Sequence, residues 1–87
     1  MNRIRATYES VSNMGYIYFQ DIKPGGVATS IPVENKKGHT LFVLDLDKDG
    51  HLIGIELFNA KIQMPERLMK YAEIYNEIQI DEPVKTE

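Results

Sequence analysis

Eighty-seven residues with no cysteine, 10 Lys and Arg against 13 Asp and Glu, and a net charge of −3 leave room for one small domain and exclude disulfides and thiolate metal sites. A core of this size is marginal alone, so oligomerisation or a partner chain is the expected outside support. The acidic balance argues against a nucleic-acid binder. The start lacks the apolar stretch of a secretory signal, and the longest apolar run, Leu41 to Leu44, is far too short to span a bilayer. The expected compartment is the cytoplasm, and the expected fold unit is residues 1–78 with a flexible polar tail over 79–87.

In chain order, five segments alternate like half-buried strands. They are Arg3 to Tyr8, Tyr16 to Asp21, Val27 to Val33, Leu41 to Asp47 and Leu52 to Phe58. Lys23-Pro24-Gly25-Gly26, Asn35-Lys36-Lys37-Gly38 and Asp49-Gly50 supply turn chemistry between them. Pro32 marks the third segment as bulged or partly unpaired. A two-residue Asp49-Gly50 turn would pair Lys48 with His51, then Leu46 with Ile53, Leu44 with Ile55 and Phe42 with Leu57. Every apolar residue of that face then meets an apolar partner. The preceding turn would pair Val33 with Thr40, Ile31 with Phe42, Thr29 with Leu44 and Val27 with Leu46. In the first hairpin, Ala6 opposite Ile17 sets Arg5 across from Tyr18 and Thr7 across from Tyr16. From Pro65 the spacing of Leu68, Tyr71, Ala72, Tyr75 and Ile78 predicts an amphipathic helix. The expected fold is α+β, a five-stranded antiparallel β-meander with one C-terminal helix packed on one face.

The run Asp45-Leu46-Asp47-Lys48-Asp49-Gly50 through Glu56 satisfies the calcium-loop expression, with Asp45, Asp47, Asp49 and Glu56 at positions one, three, five and twelve. Its flanks contradict that reading. No helical stripe precedes it, and Gly54, Ile53 and Ile55 follow it. In an extended hairpin the acids disperse, with Asp45, Asp47 and Glu56 on the outer face and Asp49-Gly50 in the turn. No metal or other cofactor is expected. His39 and His51 open successive strands and stand more than about 20 Å apart at 3.3 Å per residue, too far for a shared ion. Ser10, Ser12 and Ser30 have no general base at a recognisable spacing, so no catalytic residue is assigned and the chain reads as a non-enzyme.

Two readings of the outer face compete. Arg5 interleaved with Tyr16 and Tyr18 resembles a stacking platform for single-stranded nucleic acid, which the net charge and the nearby acids disfavour. Tyr16, Tyr18, Leu41, Val43 and Phe58, with Leu52, form apolar area of the kind that marks a protein contact. The expected function is a non-enzymatic interaction module, a homodimer or a complex with another protein, acting through this face or an edge strand. The alternative is a small-ligand or metal-binding domain using Asp45, Asp47 and Glu56.

The chain resembles domain of unknown function 2283, a family of small bacterial and phage-type proteins. Tyr8-Glu9 and Asn13-Met14-Gly15-Tyr16-Ile17 match its opening. Asp45-Leu46-Asp47-Lys48-Asp49-Gly50, Gly54-Ile55-Glu56 and Ala60 match its close. The resemblance spans about Ile4 to Ile62 and implies a small antiparallel β-domain with no assigned activity. A complex-forming role beside toxin-like proteins is a further implication. Glu9 and Asn13 stand where the family carries other acids, which leaves hydrogen bonding rather than charge as their transferable role.

Overall fold

A computed structural model describes residues 4–75; the expected tail, and Ile78 of the expected helix stripe, lie outside the described residues. Five strands form an antiparallel sheet: β1 (Arg5–Glu9), β2 (Met14–Tyr18), β3 (Thr29–Glu34), β4 (Thr40–Leu46) and β5 (Leu52–Leu57). Two short helices follow, α1 (Ala60–Gln63) and α2 (Glu66–Lys70), and then β6 (Glu73–Tyr75).

The strand order is β3-β4-β5-β2-β1-β6, which corrects the simple meander. The β1-β2 hairpin and the β3-β4-β5 run hold, but β2 pairs with β5 rather than with β3. Residues 19–28 between β2 and β3 are too many for a tight hairpin loop. They carry the chain across to the far edge, leaving the side of β2 free for β5.

The single helix from Pro65 to residue 78 is also corrected. Pro65 caps a helix that ends at Lys70, and residues 73–75 pair parallel with β1 through Thr7↔Glu73, Tyr8↔Ile74 and Glu9↔Tyr75. An isolated helix of that length has little stability of its own, whereas the open edge of β1 offers ladder hydrogen bonds. Tyr71, expected on the buried stripe, is 75% exposed.

Two register details differ from expectation: the first sets Leu46 opposite Leu52, which alternation had assigned to opposite faces, and the second leaves the faces unchanged. The β4-β5 ladder pairs Phe42↔Leu57 and Leu44↔Ile55 as expected, then shifts by one so that Leu46 meets Leu52. The turn is therefore Lys48-Asp49-Gly50, a three-residue loop, not the two-residue Asp49-Gly50 turn. Asp47 N–H donates to His51 O at 2.9 Å, Gly50 N–H donates to Asp47 O at 3.0 Å, and Gly50 takes φ 86°. The β3-β4 pairing is offset by two residues from expectation, with Ile31↔Leu44 and Val33↔Phe42. An even offset keeps each side chain on its face.

The helices cover one face. Ala6, Leu57, Ala60 and Met64 form the buried cluster, with Tyr8, Ile17, Phe42, Ile55, Leu68 and Met69 packed around it. Gly15 makes the contact possible, because a Cβ there would stand 2.8 Å from Ala60 Cβ and 2.9 Å from Met64 Cε. Asn13, at φ 59°, ties α1 to the β1-β2 turn. Its carbonyl accepts from Ala60 N–H at 3.0 Å, its Oδ1 accepts from Lys61 N–H at 3.0 Å, and its Nδ2 donates to Asn59 Oδ1 at 2.7 Å. An asparagine from a distant turn thus satisfies the open start of a helix whose own Asn59 makes no side-chain cap.

Candidate functional site on the outer sheet face

The face turned away from the helices is built in rows by the registers. Pro32, Val43, Glu56, Tyr16 and Thr7 form one row, and Ser30, Asp45, Gly54, Tyr18 and Arg5 form the next. Leu41 and Phe58 are joined by a Phe58 N–H bond to Leu41 O at 3.2 Å and lie in the row beyond Val43 and Glu56, as does Met14. Of the expected contact residues, Tyr16, Tyr18, Leu41, Val43 and Phe58 share this face. Phe58 is the most open of them, and the others are half-buried.

Gly54 organises the two central rows. It lies between Asp45 and Tyr18, and the Tyr16 ring leans diagonally across its bare backbone. A Cβ at Gly54 would sit 2.6 Å from Tyr16 Cζ and nearer still to Oη and Cε1. The glycine is required for space, since its backbone is ordinary extended strand. Across that gap Tyr16 Oη–H donates to Asp45 Oδ2 at 2.5 Å, and Ser30 Oγ–H donates to Asp45 Oδ1 at 2.6 Å. The brace ties β2 to β4 over β5 and ties β3 to β4. Burial and the Asp45 carboxylate together push the Tyr16 phenol above its ordinary range. The Tyr16 and Tyr18 rings stand 4.5 Å apart, and the Arg5 guanidinium lies 3.9 Å over the Tyr18 ring.

Glu56 is different. It stands beside Tyr16 and Val43, half-buried, and among the described residues its carboxylate has no hydrogen-bond or ion-pair partner. Burial, and then the nearby Asp45 charge, raise its pKa above the ordinary 4.5. It opens onto a shallow groove of about 240 Å³ lined by Thr7, Glu9, Met14, Tyr16 and Tyr18, with the Gly15 backbone. Glu9 accepts from Ser12 Oγ–H at 2.5 Å.

The acids named from sequence therefore separate. Asp45 and Glu56 are neighbours on the outer face. Asp47 belongs to the loop, where its Oδ1 accepts from Asp49 N–H at 3.0 Å and His51 N–H at 2.9 Å. These bonds hold the Asp47 carboxyl below its ordinary value, His51 N–H first among them. Asn35 does the same for Lys37 N–H at 2.8 Å and His39 N–H at 3.0 Å in the other hairpin loop. Among the described residues, the group with metal-ligating atoms mutually within 4.8 Å is Asp47, Asp49 and His51, not Asp45, Asp47 and Glu56. An amide fills the corresponding place in the Asn35 loop, so the acceptor at Asp47 serves the turn in its own right.

Sequence reasoning named Tyr16, Tyr18 and Glu56 and gave Asn13 a hydrogen-bonding role, but it missed the part of Ser30 in the brace and the groove walls at Thr7, Glu9 and Met14. A legible signal existed for the brace, a glycine in mid-strand with aromatic neighbours on the adjoining strand.

The fold and this face define a small two-layer α+β domain, a mainly antiparallel sheet with a helical layer on one side. Residues 5–61 match the model of a family described as protein of unknown function (DUF2283), and the chain belongs to that family. No curated protein and no solved structure matches it. No helix of the described residues is long and apolar enough to cross a membrane.

Proposed function

We propose that the chain is a non-enzymatic interaction module that binds a second protein chain through the outer sheet face. The carrying observation is the division of labour on that face. Tyr16, Asp45, Ser30 and Gly54 lock its surface into one shape, while Leu41, Val43 and Phe58 beside them present apolar area. A rigid, partly apolar patch suits association without a large ordering cost. The thin core, with five large or small apolar residues buried among the described ones, adds a reason for a partner.

The β3 edge is the weaker route. The Phe58 bond to Leu41 O directs Leu41, Val43 and Asp45 toward β5, so alternation directs Phe42 and Leu44 toward β3. Ile31 and Val33 then bond to β4, and Pro32 faces the free side without an N–H. A proline there blunts strand addition.

The test is capture from a source-cell lysate with the wild type and with Phe58→Lys, alongside sedimentation velocity over a concentration series. A defined complex or self-association is expected, which Phe58→Lys abolishes at unchanged melting temperature. Equal recovery on both baits with a concentration-independent monomer overturns it.

A further inference from the structure

We propose that the groove around Glu56 receives one lysine or arginine side chain of the partner protein. The inference rests on the outer face being the contact surface and names the chemistry at its centre. The groove offers two carboxylates, Glu9 and Glu56, two tyrosine rings, and the apolar flanks of Met14 and Thr7. Among the described residues, no Lys or Arg lines it. That is the lining a long cationic side chain requires, with a carboxylate and ring faces for the charged head and apolar wall for the methylene stem.

Four further observations point the same way. The Arg5 guanidinium already rests on the Tyr18 ring, so this aromatic row accepts a cation on its outer side. The groove, at about 240 Å³, is smaller than the ~300–1,000 Å³ of ordinary small-molecule pockets and matches a single side chain. The neighbouring motif residues have structural partners: Asn13 caps α1, Gly15 admits Ala60 and Met64, Tyr16 crosses Gly54 to reach Asp45, and Asp47 closes its loop. Glu56 alone among them is a half-buried carboxylate that the described residues leave without a partner. A desolvated, unpaired carboxylate destabilises the free chain, and an arriving cation relieves that penalty. The net charge of −3 favours a basic partner at longer range.

The test is a nitrogen-15 NMR titration of the full chain with acetyl-Gly-Lys-Gly-amide and acetyl-Gly-Arg-Gly-amide, with the norleucine peptide as the uncharged control. Saturable shifts are expected at Thr7, Tyr16 and Glu56 with the cationic peptides and not with norleucine. Glu56→Gln weakens them about tenfold, whereas Asp47→Asn leaves them unchanged. Shifts spread over all the acidic residues, insensitive to Glu56→Gln, overturn the proposal. So does equal binding of norleucine. Glu56→Gln is then carried through the capture experiment beside Phe58→Lys. A complex lost with Phe58→Lys and kept with Glu56→Gln removes the cation pocket and leaves the contact surface standing. A complex kept by both removes the surface as well.

Discussion

Replacing Gly54 with alanine adds one methyl group to the outer face, and the Tyr16 ring already occupies its place. The new Cβ stands 2.6 Å from Cζ and closer to two other ring and hydroxyl atoms, well inside van der Waals contact. If the ring stays, overpacking costs about 1–3 kcal/mol. If it swings away, its bond to the Asp45 carboxylate is lost, at about 1.5–3 kcal/mol for a charged acceptor. These are alternatives, so they do not add. Alanine regains about 0.5–1 kcal/mol over glycine within a strand. The net expectation is a loss of up to about 2.5 kcal/mol, or a melting temperature lower by as much as roughly 20 °C for a domain of this size. Urea titration followed by circular dichroism measures it. The same substitution on a Tyr16→Ala background meets an open space and is neutral or slightly stabilising. The double-mutant cycle therefore yields a coupling of at least about 1 kcal/mol. Equal effects of Gly54→Ala on both backgrounds would show that the ring does not lie across the glycine.

Glu56→Gln stabilises the free chain at neutral pH. Because its folded pKa is raised, the folded state binds more protons than the unfolded state from about pH 4.5 upward, and stability contributed by this group falls as pH rises through the folded pKa. The stability difference between Glu56→Gln and wild type should shrink toward zero below pH 4.5, as read from denaturation midpoints across pH. Asp47 carries the opposite sign: with a lowered folded pKa, its contribution is present above its unfolded value of 3.8 and fades as pH falls through the folded pKa. Asp47→Asn keeps the Oδ1 acceptor, as Asn35 does, so it should preserve the melting temperature at pH 7 and flatten that acid slope, whereas Asp47→Ala should lower the melting temperature. Asn13→Ala removes the remote cap of α1 and should cost about 0.5–2 kcal/mol by urea titration, with Asn13→Gly, which tolerates φ 59°, falling between it and wild type.

The local pairings were legible because side-chain period and turn chemistry dictate them. Ala6↔Ile17, Leu44↔Ile55 and Phe42↔Leu57 follow from matching apolar faces, and an error of two residues in the β3 register left every side chain on its own face. The strand order was not legible. Whether β2 meets β3 or β5 depends on a long connection and on how Tyr16 fits over Gly54, which no period in the sequence encodes. Tyr71 and Tyr75 fit a helical stripe, but the open edge of β1 recruits residues 73–75 as a strand, a tertiary demand that overrides spacing. The motif letters likewise concealed their division. Asp45, Asp47 and Glu56 read as one acidic set, yet one braces strands, one closes a loop and one faces a groove. Only the packed fold separates an acid whose oxygens are engaged from one whose oxygens are not.

Site-specific photo-crosslinking in the source cell tests the contact surface most directly. With benzoylphenylalanine at Phe58 on the outer face, and separately at Ile62 on the helical layer, a discrete heavier species is expected from Phe58 and none from Ile62. Crosslinks from Ile62 alone, or no heavier species from either position, would contradict it.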